Sequence, residues 1–122
     1  MHELKSHPER CLLAGITWNK NRWIIEEYFT ELSELAKTAG AEVITSFIQD
    51  RSVPDPSHFI GKGKAVEIQE YIMDNDIDLL IFDDELSPAQ VKNLEKLFQI
   101  KVFIFIPQNV KIKNLSISLE IS

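Results

Sequence analysis

Leu79-Leu80-Ile81-Phe82-Asp83-Asp84-Glu85-Leu86-Ser87-Pro88-Ala89-Gln90 is the stretch that decides the fold. Its apolar start has no alternation, which predicts a strand buried on both faces, and the acids that follow end it. Ser87 is then placed to cap a helix, with Pro88 at the first helical position and Gln90 at the third, where an amide closes a capping box. Val91, Leu94, Leu97 and Phe98 give that helix one apolar face. Lys101-Val102-Phe103-Ile104-Phe105-Ile106 reads as the next strand. Parallel neighbours need a crossover, so strand, capped helix and strand in succession predict a parallel sheet.

Upstream the alternation of strand and helix continues, with no internal sequence repeat. Cys11-Leu12-Leu13-Ala14-Gly15-Ile16 is a continuous apolar run, again a buried strand. Trp18-Asn19-Lys20-Asn21-Arg22 supplies polar turn residues, with asparagines able to cap. From Trp23 to Ala39 the period becomes helical, with Ile25, Tyr28, Phe29, Leu32, Leu35, Ala36 and Ala39 on one stripe. Gly40 stands where a left-handed C-terminal cap requires a residue without Cβ. Ala41 to Gln49 is rich in β-branched and aromatic residues and reads as a second strand. Pro54 and Pro56 make Asp50 to Ser57 a loop. Gly61-Lys62-Gly63-Lys64 leads into a helix to about Asn75, with Ala65, Ile68, Ile72 and Tyr71 turned inward.

The expected fold is therefore α/β: a single three-layer domain, residues 1–106, with a four-stranded, mainly parallel sheet and helices on both faces. Residues 107–122 read differently. Val110-Lys111-Ile112 and Leu115-Ser116-Ile117-Ser118-Leu119-Glu120-Ile121-Ser122 alternate with period two. This atypical β-like tail is either an extra edge strand or an exposed segment that would promote self-association.

Composition bounds the function. The chain has 122 residues, 44% hydrophobic and 26% charged, which suits one globular domain and excludes wholesale disorder. Its 13 basic and 19 acidic residues give a net charge of −6, against a general nucleic-acid coat but leaving room for a local basic patch. Neither a membrane-spanning run nor a signal-peptide h-region is present in the sequence, so the expected location is cytoplasmic, with no membrane partner. A lone Cys11 rules out an internal disulfide.

Two places carry candidate chemistry. At Gly61-Lys62-Gly63-Lys64 two glycines and the start of a helix favour close approach of an anion, and Lys62 and Lys64 add positive charge. A glycine turn that merely joins loop to helix fits the same residues. Neither G-x-x-x-x-G-K-[ST] nor G-x-G-x-x-G occurs in the chain, so nucleotide hydrolysis by a phosphate loop is not expected. Asp83, Asp84 and Glu85 follow a parallel strand at the edge where open α/β sheets bind ligands, and could hold Mg²⁺ or accept a phosphoryl group. A solvated turn before the Ser87 cap explains them equally. His2, His7 and His58 lack metal-ligand spacing, and Trp18 and Trp23 read as packing residues at the first helix start.

Leu35-Ala36-Lys37-Thr38-Ala39-Gly40-Ala41, continued by Gln49-Asp50-Arg51, Pro54-Asp55-Pro56 and Phe59-Ile60-Gly61-Lys62-Gly63-Lys64, forms one signature block. Phe82-Asp83-Asp84-Glu85-Leu86-Ser87-Pro88-Ala89-Gln90, ending in Asn93-Leu94-Glu95, forms a second. Together they resemble the N-terminal domain of the HflX family of ribosome-associated GTPases, over roughly residues 32–102. The resemblance implies an α/β domain followed by long helices and a GTPase domain, association with the large ribosomal subunit, and a link to splitting or rescuing stalled ribosomes. GTP and Mg²⁺ would belong to that GTPase domain, leaving no cofactor for these residues. After the fourth strand the family pattern turns to Asp-Arg-Thr and an apolar helix, whereas this chain reads Phe103-Ile104-Phe105-Ile106-Pro107-Gln108. That departure implies a truncated, frame-shifted or fragmentary product.

The expectation is a non-catalytic domain that docks on ribosomal RNA of the large subunit or regulates an attached GTPase, with no DNA partner. Arg51, Lys62 and Lys64 are the expected anion contacts, with Gly61 and Gly63 shaping the turn. The alternatives are a nucleotide- or Mg²⁺-binding domain using residues 83–85, and a degenerate remnant without activity.

Overall fold

The computed structural model describes residues 7–106. Elements alternate as expected: β1 (Glu9–Ile16), α1 (Arg22–Thr38), β2 (Ala41–Gln49), α2 (Lys62–Asp74), β3 (Leu79–Phe82), α3 (Pro88–Phe98) and β4 (Lys101–Ile104). The strands lie in the order β2-β1-β3-β4. Every neighbouring pair is parallel, with Leu12 opposite Leu80 and Leu80 opposite Val102. One irregularity interrupts the β1–β2 register, where Cys11 faces Val43 and Leu12 already faces Thr45, leaving Ile44 as the extra residue.

Alternation along the central strands divides the core into two layers. Leu12, Ala14 and Ile16 of β1 point with Leu80, Phe82 and Val102 toward α2 and α3, where Ala65, Ile68, Leu94 and Phe98 meet them. Leu13 points the other way, onto Ile25, Phe29 and Leu32 of α1. Helices thus cover both faces, one on one side and two on the other. Residues that carry no alternation in the sequence do so because each face of their strand has a helix to meet.

Helix ends follow local chemistry. Ser87 Oγ accepts the Gln90 backbone N–H at 3.1 Å, and Gln90 Oε1 accepts the Ser87 backbone N–H at 2.8 Å, completing the capping box. Gly40 adopts φ +88° just past the Ala39 cap of α1, the left-handed conformation that a Cβ disfavours.

Four details differ from the sequence-based expectation. Leu35 is 43% exposed. A step of three residues lags a full helical turn by about 60°, so Leu35 rotates off the Ile25–Phe29–Leu32 seam; Ala39 is exposed as the cap residue. Trp23 is 59% exposed, two residues from Ile25 and therefore on the opposite side of α1, whereas Trp18 packs edge-on against Phe59. β4 ends at Ile104, two residues early, although the Phe105 N–H still donates to the Phe82 carbonyl. Finally, α2 begins at Lys62, so Gly63 and Lys64 belong to its first turn, and Gly63 shapes no turn before the helix. The alternating segment 107–122 lies outside the described residues.

Candidate functional site

β2 delivers its last residues to the C-terminal edge of the sheet, and the loop 50–61 returns the chain to the start of α2. The loop is tightly closed. Asp55 and Phe59 exchange both backbone hydrogen bonds, at 3.0 and 2.9 Å. Within it, Asp55 Oδ2 accepts the backbone N–H groups of Ser57 and His58 at 2.9 and 2.8 Å. The His58 N–H is the main reason the Asp55 carboxyl is held below its ordinary value. Phe59 has φ +68°, unusual for a residue with a Cβ, and is held there by burial between Trp18 and Phe82. Two side chains of α3 tie the loop down: Gln90 donates to the Asp55 carbonyl at 2.8 Å and Asn93 to the Ser57 carbonyl at 2.9 Å.

This rigid loop sets the position of the basic residues. Gly61 is the N-cap of α2 and donates its N–H to Gln49 Oε1 at 2.8 Å. A Cβ at position 61 would lie 2.8 Å from both Arg51 Nη1 and Gln49 Nε2, so the absence of a side chain here lets Arg51 lie against the helix start. Arg51 is fixed further by Nε donating to the Val53 carbonyl at 2.7 Å. Lys62 is exposed and has no ion-pair partner among the described residues. Lys64 pairs with Glu67 at 2.9 Å, which offsets part of its charge. A Cβ at position 63 would meet no atom within 4 Å, so the first turn is open on its outer side. Arg51, Gly61, Lys62, Gly63 and Lys64 are thus brought together at one helix start, where the dipole and uncapped N–H groups also favour an anion.

The acidic run is split instead. Strand order reverses between β1 and β3, so their C-terminal ends frame the crevice in which α/β sheets bind ligands. Here that crevice is filled by the chain itself. Asp83 is 2% exposed, and neither carboxylate oxygen has a hydrogen-bond partner. A Cβ on Gly15 would sit 2.7 Å from Asp83 Oδ1, so glycine at 15 is what lets the carboxylate settle against β1. Burial pushes the Asp83 carboxyl up to about 7, opposed by the Lys20 ammonium and reinforced by Asp84. Lys20 itself bonds Asp84 Oδ2 at 2.6 Å, and both side chains are mostly buried. Glu85 is exposed. The three acids therefore do not converge, and the described residues contain no group of three or more ligands able to hold a metal ion. Cys11 is buried, and burial above all raises its thiol to about 11, which leaves it inert.

One feature had no signature in the sequence. A cavity of ≈370 Å³ lies between α2, α3 and the 55–60 loop, lined by Ile60, Ala65, Val66 and Leu97 with Asp55, His58, Lys62 and Gln69. Its walls come from segments up to forty-two positions apart, between Asp55 and Leu97, so no local spacing announces it.

Comparison with known proteins adds a family to this geometry. The family described as GTP-binding GTPase N-terminal matches residues 26–103. The GTPase HflX of Flavobacterium psychrophilum is 41% identical over 95 residues, covering 77% of this chain and 23% of that protein. The GTPase HflX of Caldanaerobacter subterraneus subsp. tengcongensis is 40% identical over 102 residues, covering 84% and 23%. That of Escherichia coli is 40% identical over 94 residues, covering 77% and 22%. The chain thus spans less than a quarter of the length of these curated relatives.

Proposed function

The chain belongs to the HflX family, matching the N-terminal domain of its GTPases, and from that premise we propose that it is a non-catalytic recognition domain that docks on RNA of the large ribosomal subunit in the cytoplasm. The observation that carries this reading is that Arg51 lies beside Gly61, the N-cap of α2, with the exposed Lys62 next to it and Lys64 in the same first turn, at a helix start that has no side-chain cap. In a chain of net charge −6, positive groups gathered on a backbone that already favours anions mark a place for phosphate rather than a general coat. Lys62 makes the principal contact, because its ammonium has no competing carboxylate among the described residues. Arg51 supports it from the loop, and Lys64 contributes less while Glu67 holds it. GTP hydrolysis, which the relatives' names state of those proteins, has no assigned residue here.

Co-sedimentation with purified large subunits at about 50 and 200 mM salt tests the reading. Lys62→Glu is expected to weaken binding roughly tenfold at the lower salt and to flatten the salt dependence by about one phosphate contact. Lys64→Glu should do less. Equal binding by the wild-type chain and Lys62→Glu at both salts would remove the basic cluster from the argument.

A further inference from the structure

We propose that the cavity between α2 and α3 receives one unpaired base of the docked RNA, selected for an exocyclic amino group. This rests on the RNA-docking reading and names what that surface recognises. The cavity opens beside Lys62, so a strand whose phosphate meets that ammonium has its adjacent base over the mouth. A volume of ≈370 Å³ falls in the range of small-molecule sites, which starts at about 300 Å³. Ile60, Ala65, Val66 and Leu97 supply the apolar walls that a base face requires, and Val66 stands 51% exposed at the lip with no apolar cover of its own. RNA-binding domains read unpaired bases in this manner, by apolar or stacking contact with the face and hydrogen bonds to the edge.

The polar lining sets the preference. Gln69 donates Nε2 to the Leu97 carbonyl at 3.1 Å, which directs its amide and leaves Oε1 without a partner among the described residues. Asp55 commits Oδ2 to the loop N–H groups, while Oδ1 accepts nothing from the described residues. With Lys62 taken by the phosphate and His58 as the remaining donor, these two acceptors match the two hydrogens of an amino group, as on cytosine, whereas uracil offers a single N3–H between two carbonyl oxygens. The Lys62 ammonium at the rim complements the phosphate next to the bound base.

Single-stranded hexacytidylate and hexauridylate carry equal charge and differ at this edge. The 122-residue chain is expected to bind hexacytidylate at least about fivefold more tightly. Val66→Trp, at an exposed position and checked for an unchanged unfolding midpoint, should abolish that difference while keeping the salt slope. Lys62→Glu should weaken both oligonucleotides alike. Equal affinity for the two, no binding of either at millimolar concentration, or a preference untouched by Val66→Trp would overturn the cavity proposal. Equal affinities that still fall in Lys62→Glu would overturn it while sparing the docking reading. Hexacytidylate and hexauridylate affinities that both stay at wild-type strength in Lys62→Glu, with the cytosine preference intact, would do the reverse.

Discussion

Raising the pH from 5 to 8 should cost the wild-type domain about 2–3 kcal/mol of stability through Asp83 alone, and an Asp83→Asn variant should lack that loss. Asp83 is the one buried acid whose two oxygens both lack partners among the described residues, and burial lifts its carboxyl to about 7 from 3.8. Between about pH 4 and 7 the folded state therefore holds a proton that the unfolded chain has already released. Stability from this group is complete below about pH 4, declines through that window, and is gone once the folded carboxyl ionises. At about 1.4 kcal/mol per pH unit, the portion between pH 5 and 7 gives the figure above. Lys20 lies close enough to lessen the effect but is bonded to Asp84. Urea midpoints of both proteins at the two pH values measure the term as a difference, which cancels the histidines. Parallel pH profiles for the two would mean that Lys20 leaves Asp84 for Asp83 on ionisation, or that water reaches the carboxylate.

Phe82→Ala should be the most damaging truncation, at about 3–5 kcal/mol. Phe82 ends the central strand β3, is fully buried, and meets Phe59 edge-on with centroids 5.6 Å apart; Phe59 in turn meets Trp18 at 6.5 Å. Removing the ring empties the layer under the 50–61 loop. It also releases Phe59 from the contact that holds φ at +68°, a conformation with its own cost. Domains of this size are stable by only about 5–15 kcal/mol, so most of the margin is at stake. Denaturant unfolding gives the value directly. A loss below about 1 kcal/mol would show that the loop is held by its ties to α3 and not by the aromatic stack.

The elements were legible because their signals are local. β2 and β3 have the bounds that their apolar runs give, and the Ser87–Gln90 pair caps α3 through two hydrogen bonds three residues apart. The basic residues also announced themselves, since Gly61 to Lys64 are consecutive. Contacts over long separations did not. Asp83, Asp84 and Glu85 look alike as neighbours in sequence, yet Gly15 and Lys20, more than sixty positions away, bury one and pair another. Arg51 owes its place to Gly61, whose missing side chain leaves room for the guanidinium, a contact across ten positions that no local pattern shows. Asp55, His58, Gln69 and Leu97 share no spacing that links them, because the cavity exists only once α2 packs beside α3.

Lysine acetylation footprinting of the chain, alone and with saturating large ribosomal subunits, tests the docking surface most directly. Parallel strands put the start of α2 at one edge of the sheet and the exposed lysines Lys37 and Lys101, at the end of α1 and the start of β4, at the other. The account predicts that Lys62 becomes several-fold slower to modify while Lys37 and Lys101 keep their rates. Protection of Lys37 or Lys101 with Lys62 still reactive would contradict it.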